Sequence, residues 1–284
     1  MKRHIPVVVL ALFTAAGCDS SKSPTDPTPN PNSILYTAIG ASDAIAIGAS
    51  VPCVPLTPCP QGTGYVQLLA RRLGTGGNTV TLLNLGIPGT VLSPATQSLG
   101  NSIGREIFGN MLEREVPFVQ RDATLVTVFA GGNDANIVGD ALKAGLGGLN
   151  PTAYVQAQID NFGRDMRSLM TGVKDRAPAA RIVILNLPNL AGLPYASSYT
   201  PTEKRFLQQI AVGFSGQINA LTSQGALVID IMCDGAFYQA GMFSSDGFHP
   251  NDAGYARMAD LIFPAATTGS AAAPRASCAQ MTLF

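Results

Sequence analysis

Five short runs of the chain are almost continuously apolar: Ile34–Ile39, Val80–Leu85, Leu125–Ala130, Ile182–Leu187 and Leu227–Ile231. None alternates with a period of two, so each predicts a strand covered on both faces, as in a parallel sheet. Between them the apolar positions recur every three or four residues. Tyr65, Leu68, Leu69 and Leu73 share one helical face, with Gly74 as a stop, and Ile107, Met111 and Leu112 form a stripe ending before Pro117. Ile159, Phe162, Met166, Leu169 and Val173 mark a longer helix. Thr200-Pro201-Thr202-Glu203 is a capping box with proline at the first helical position, opening a helix through Leu207, Ile210, Phe214, Ile218 and Leu221. A last helix follows Asn251. Strand and helix in alternation predict a three-layer α/β/α sandwich around a five-stranded parallel sheet. The Met and aromatic stripes read as core and not as a cofactor box.

The start of the chain follows different rules. Lys2, Arg3 and His4 precede an apolar run, Ile5 to Phe13, that is too short to span a bilayer. Ala15-Ala16-Gly17-Cys18 then supplies small residues, so residues 1–17 are expected to be a signal peptide. Small residues ending in Cys18 resemble a bacterial lipoprotein cleavage box, with Ala15 where Leu is usual; the alternative is an ordinary cut near Ala16. Residues 18–33 are rich in Pro and Ser and hold no large apolar side chain, which predicts a disordered or polyproline-like tether. A tether directly after a lipid-bearing cysteine would space a domain, residues 34–284, from a membrane surface. The expected location is the cell envelope, or otherwise the secreted fraction.

Charge narrows the partners. Without Lys2 and Arg3 the chain carries 16 basic and 18 acidic residues, a net charge near −2, and so no electrostatic footprint for nucleic acid. A monomer is expected. Beyond Cys18, four cysteines remain, Cys53, Cys59, Cys233 and Cys278, an even set that implies disulfides in an exported protein. Three pairings are possible; Cys53–Cys59 with Cys233–Cys278 is the most economical. No metal is expected, because no cysteine pair has zinc-finger spacing. No cofactor is expected either.

Once the leader is removed, His249 is the only histidine, and Asp246 stands three residues before it. A carboxylate held against one ring nitrogen fixes the tautomer and leaves the other nitrogen free as a base. The competing reading is a structural histidine capping the helix near Asn251. Loops at the carboxyl ends of parallel strands converge on one edge, where ligands bind. The segments Gly40-Ala41-Ser42-Asp43, Asn84 to Thr90, Gly131-Gly132-Asn133-Asp134 and Asp246-Gly247-Phe248-His249 should all emerge there. A hydroxyl, a glycine amide, a side-chain amide and an Asp–His pair would thus share one edge.

These four blocks resemble the SGNH (GDSL-type) hydrolases, named for Ser, Gly, Asn and His in that order. The segments Asn186 to Pro194 and His249 to Tyr255 are similar to further stretches of lipase-like members. The first block departs from the family's Gly-Asp-Ser: Ala41 replaces the acid. Gly48-Ala49-Ser50 repeats the triplet, but Ser50 follows no strand, and Ser42 is preferred. Gly100-Asn101-Ser102-Ile103-Gly104 fits G-x-S-x-G, yet no strand precedes it, and it is read as a loop with a chance match. The resemblance implies a flavodoxin-like sandwich and a serine-dependent carboxylic ester hydrolase, an esterase or lipase. Ser42 would be the nucleophile of an acyl-enzyme, His249 its base and Asp246 the orienting carboxylate. The oxyanion would meet the Ser42 and Gly89 amides and the Asn133 side chain, with Gly86 a weaker candidate. Asp134 reads as local turn support.

The substrate stays open. Loops 51–64 and 188–200 are expected to shape the pocket, and Leu190, Leu193 and Tyr195 either receive an acyl chain or cover the helix beneath. An O-acetyl polysaccharide deacetylase is the enzymatic alternative, acting on a small-molecule or polymer-borne ester. An inactive surface binding protein is the alternative from another class.

Overall fold

The computed structural model describes residues 32–284. The signal peptide, Cys18 and almost all of the Pro-rich stretch lie outside the described residues.

The five apolar runs form the strands β1 (Ser33–Gly40), β2 (Thr79–Asn84), β3 (Leu125–Phe129), β4 (Arg181–Leu185) and β5 (Leu227–Ile229). They lie parallel in the order β2-β1-β3-β4-β5. The helices are α1 (Tyr65–Leu73), α2 (Pro94–Ser102), α3 (Met111–Arg114), α4 (Gly132–Lys143), α5 (Pro151–Arg176), α6 (Pro201–Asn219) and α7 (Asp252–Thr268). Right-handed crossovers put helices on opposite faces when the chain steps left from β1 to β2 and when it steps right through β3, β4 and β5. Accordingly α1 packs with α7, while α5 packs with α6 and α6 with α4. The result is the expected three-layer sandwich. Its core runs through both faces of the sheet, with Tyr36, Ile39, Val126, Val128, Val183 and Ile184 fully buried. Phe162 of α5 stacks on Phe214 of α6 with ring centroids 3.9 Å apart.

Local chemistry explains the helix ends. Thr200 and Glu203 complete the capping box: Glu203 N–H donates to Thr200 Oγ1 at 3.3 Å, and Thr200 N–H donates to Glu203 Oε2 at 2.7 Å. Asn251 caps α7 by accepting from the Ala253 and Gly254 amides at 2.9 and 3.1 Å.

Three elements differ from the sequence reading. The stripe through Ile107 shrinks to the single turn of α3, because Asn110 caps it, accepting the Glu113 amide at 3.0 Å, and so fixes the start at Met111. Residues 94–102 are helical rather than a loop. Ser93 accepts the Thr96 amide at 3.4 Å and Pro94 takes the first position. Ser102 closes that helix, donating to the Leu99 carbonyl at 2.7 Å, so the G-x-S-x-G string has none of the strand–turn–helix geometry it needs. Finally, α4 begins directly after the third strand.

Both disulfides of the most economical pairing are formed, Cys53–Cys59 and Cys233–Cys278. The second ties the tail to the domain, where the Leu283 and Phe284 amides also donate to Gln208 Oε1 at 2.8 and 3.0 Å. Loop closure makes the longer bridge worth more. Its ends are 45 residues apart, against 6 for the other. Replacing Cys233 and Cys278 by Ser should therefore cost roughly 4 kcal/mol, and the Cys53/Cys59 double replacement about 2 kcal/mol. Denaturant unfolding of the two variants checks the order; equal losses would contradict it.

Candidate active site

Ser42 stands two residues beyond β1, in a tight turn where the Ile47 amide donates to the Ser42 carbonyl at 3.0 Å. The residue is buried. His249 arrives from the far end of the chain, in a turn organised by Asp246. One carboxylate oxygen, Oδ1, accepts from the Phe248 and His249 amides at 2.8 and 2.9 Å and from Ser244 Oγ at 2.8 Å. The other, Oδ2, lies 2.6 Å from His249 Nδ1. Burial works against this carboxylate's charge, but those hydrogen bonds overcome it and hold its pKa down to about 2. An ionised acceptor at Nδ1 keeps the proton there and leaves Nε2 bare. His249 Nε2 is 2.9 Å from Ser42 Oγ. The imidazole is thus placed to take the serine proton. The helix-cap role falls to Asn251, two residues on, so His249 is free of it.

The rival serine has another task. Ser50 Oγ donates to Asp252 Oδ2 at 2.6 Å, and its amide donates to Asp252 Oδ1 at 2.8 Å, pinning the loop to the first turn of α7.

The segments after β1, β2 and β3 carry the candidate oxyanion donors. Among the described residues, neither the Ser42 amide nor the Gly89 amide donates to a protein acceptor. N–H groups without a protein acceptor are the kind of donor a developing negative oxygen requires. Gly89 has φ 74°, a left-handed conformation that favours glycine. The Gly86 amide, by contrast, is committed to Asn84 Oδ1 at 3.1 Å. Asn133 Nδ2 donates to the Thr90 carbonyl at 2.8 Å, which fixes the side-chain amide against the loop carrying Gly89. Asn133 lies in the first turn of α4, whose cap, Gly131, has φ 112°; a Cβ there would sit 2.9 Å from the Phe162 ring.

Three carboxyl groups near this edge were not singled out as site residues by sequence. Asp134 is more than local turn support: its Oδ1 accepts the Leu92 amide at 2.9 Å, tying the glycine loop to α4. Burial pushes its pKa up to about 6. Asp43, next to the serine, is raised by burial and lowered by His249. Glu115, at the end of α3, is completely buried. Its Oε2 accepts the Gly40 amide at 2.8 Å, and burial raises its pKa to about 8.

Two small crevices lie beside Asp43, the neighbour of Ser42. One crevice of about 10 Å³ lies between Asp43, Met111, Asn133 and Phe248, and another of about 30 Å³ between Asp43, Leu190, Leu193, Phe237 and Phe248. Leu190 and Leu193 thus line a crevice that Asp43 also lines. Tyr195 donates to Asn136 Oδ1 at 2.8 Å and meets Phe248 edge-on. Loop 51–64 does not reach these crevices; its Leu56 to Pro60 segment lines a separate cavity of about 450 Å³ with Arg71 and Leu82. Among the described residues, no group of three or more His, Cys, Asp or Glu side chains converges as a metal site would.

A family model, the GDSL-like lipase/acylhydrolase family, matches residues 38–257. The chain belongs to this family. It is a carboxylic ester hydrolase. Similar solved structures include a phospholipase A1 from Streptomyces albidoflavus, with 19% identity, TM-score 0.57, and 80% of this chain and 97% of that one covered. A lipase from a goat rumen metagenome has 19% identity and TM-score 0.56, covering 82% and 97%. An acetylxylan esterase from Geobacillus stearothermophilus has 16% identity and TM-score 0.51, covering 86% and 97%. These likenesses show the shared fold. No curated protein matches the sequence significantly.

Glu115 has a consequence for stability. Its carboxyl titrates near 4.5 when exposed and near 8 in the fold. The folded state therefore binds the proton more tightly, and stability falls as pH rises between those values. Wild type should lose on the order of a few kcal/mol across that window. Glu115→Gln should lack this loss, so its melting temperature relative to wild type rises from pH 5 to pH 9. An unchanged difference would contradict the burial of a titrating carboxyl.

Proposed function

We propose that the protein hydrolyses carboxylic esters through an acyl-enzyme on Ser42. The observation that carries this reading is the continuous contact from Asp246 to His249 to Ser42, at 2.6 and 2.9 Å. A serine hydroxyl is a poor nucleophile at neutral pH, and His249 activates it by accepting its proton as Ser42 Oγ attacks the ester carbonyl. Asp246 orients the ring and stabilises the imidazolium. The tetrahedral oxygen accepts from the Ser42 and Gly89 amides and from Asn133 Nδ2. Collapse expels the alcohol, protonated by His249. Water, deprotonated by the same imidazole, then attacks the acyl-enzyme and releases the acid. The reading of the protein as an inactive binder has no support in this arrangement, since each of these groups is present and in register.

The substrate of first choice is an acyl ester, as for an esterase or lipase, with the acyl group against Leu190, Leu193 and Phe248. The narrowness of the crevices beside Asp43, next to Ser42, favours a second reading, removal of O-acetyl groups from a polysaccharide. For location we propose export, which two disulfides support, since such bonds persist in oxidising compartments. Anchoring through an acylated Cys18 is part of this proposal, as is a monomeric state without nucleic-acid partners; fatty-acid labelling of wild type, lost in Cys18→Ala, tests the anchor. An unlabelled wild type would refute it.

Chain-length profiling on p-nitrophenyl esters beside acetylated xylan, with Ser42→Ala as blank, tests activity, nucleophile and substrate class together. Hydrolysis persisting in Ser42→Ala would overturn the mechanism. Asn133→Ala should fold normally and lower turnover about 10²- to 10³-fold. A near-normal rate would remove Asn133 from the oxyanion site.

A further inference from the structure

Glu115 is a fully buried carboxyl group with no ion pair among the described residues and no place in the mechanism above. It sits directly beneath the catalytic edge. Its Oε2 accepts the amide of Gly40, two residues before Ser42, at 2.8 Å, and its Oε1 lies 3.3 Å from Thr90 Oγ1. Thr90 follows Gly89 and presents its carbonyl to Asn133 Nδ2 at 2.8 Å. Each proposed oxyanion donor is therefore one or two links from this single carboxyl: Ser42 through Gly40, Gly89 through its neighbour Thr90, and Asn133 through the Thr90 carbonyl.

The contacts also locate a proton. A threonine hydroxyl has one hydrogen to give, and Thr90 Oγ1 stands 2.8 Å from the Ile87 carbonyl. A carbonyl cannot donate in return, so that contact takes the threonine hydrogen. The longer contact, to Glu115 Oε1, then needs its hydrogen from the carboxyl. Oε2 is left as the carbonyl oxygen that accepts from Gly40. Burial without a cation favours the same neutral form.

We infer that Glu115, as a neutral carboxylic acid, is a positioning residue that clamps the nucleophile turn to the oxyanion loop, donating to Thr90 and accepting from Gly40. The inference rests on the reading of Ser42 as nucleophile. The acid itself touches no substrate. Ionisation removes the proton that Thr90 accepts, and either Thr90 abandons Ile87 or two acceptors face each other. Both loosen the loop carrying Gly89. The titratable group that senses Glu115 from across the core is Tyr65 of α1. Burial keeps that phenol protonated, beside Tyr36 and Asp43. No Lys, Arg or His bonds to the Glu115 carboxyl among the described residues.

The test compares kcat and KM for a p-nitrophenyl ester across pH 6 to 10 in the full chain. Glutamine copies the neutral acid, with a carbonyl for Gly40 and an N–H for Thr90. Glu115→Gln should keep kcat within a few-fold at pH 7 and lack the decline in kcat expected of wild type above about pH 8. Thr90→Val, which removes the other end of the clamp, should lower kcat about 10²-fold with KM little changed. Glu115→Ala, if it folds, should match it. The inference is overturned if Glu115→Gln falls tenfold or more at pH 7, if it keeps the alkaline decline, or if Thr90→Val is as active as wild type. Ser42→Ala, run alongside, separates the two failures: activity there would sink the nucleophile assignment, whichever way Glu115→Gln behaves.

Discussion

The 2.9 Å approach of Ser42 Oγ to His249 Nε2 joins positions 207 residues apart, and it holds only if two ends of the chain meet at one edge of the sheet. Nothing local secures it from the serine side. Ser42 is carried by β1, an interior strand between β2 and β3. His249 is carried by a turn that enters α7, and α7 packs against α1, which follows β1 in the chain. Asp252, in the first turn of α7, holds Ser50 and Thr63 of the loop between β1 and α1. Tyr255 Oη reaches back to the Ile47 carbonyl at 2.6 Å. The two halves of the site are therefore fastened to each other by α7 as well as by the sheet. A rigid scaffold of this kind positions a base against a nucleophile without asking either side chain to be ordered by substrate.

The same economy governs the anion-binding side. Register places Gly40 opposite Phe129, so β1 and β3 end level and their loops face each other across the gap. This is where the strand order reverses, the place an open parallel sheet leaves a crevice. Buried carboxyls then tie the loops together: Glu115 holds Gly40 and Thr90, and Asp134 holds Leu92. Keeping such groups in the core costs stability at neutral and alkaline pH. That cost fits a site where donors must be fixed before charge develops.

Much of this was legible in the chain. The strands showed because buried parallel strands are continuously apolar, and the Asp246–His249 pair because three residues is the reach of one turn. The family blocks then pointed to Ser42, Gly89 and Asn133 in the segments after β1, β2 and β3. What stayed hidden has physical causes. Helix α4 reads Gly-Asn-Asp-Ala-Asn-Ile-Val-Gly-Asp-Ala-Leu-Lys, and its small and polar residues dilute the apolar stripe. The Ile107 stripe was too short to show that Asn110 would cap it. Glu115 looks like any surface glutamate in sequence, since its burial comes from strands and loops far away in the chain. The closing tail at Gln280 to Phe284 likewise has no periodic signal; its order comes from a disulfide and from Gln208.

The most direct measurement is covalent capture of the nucleophile. A p-nitrophenyl alkylphosphonate mimics the tetrahedral state and phosphonylates only a serine whose proton a neighbouring base removes. Peptide mapping by mass spectrometry should find a single adduct, on the peptide bearing Ser42, and none after His249→Ala. An adduct on Ser50 or Ser102, or equal capture without the imidazole, would contradict the account.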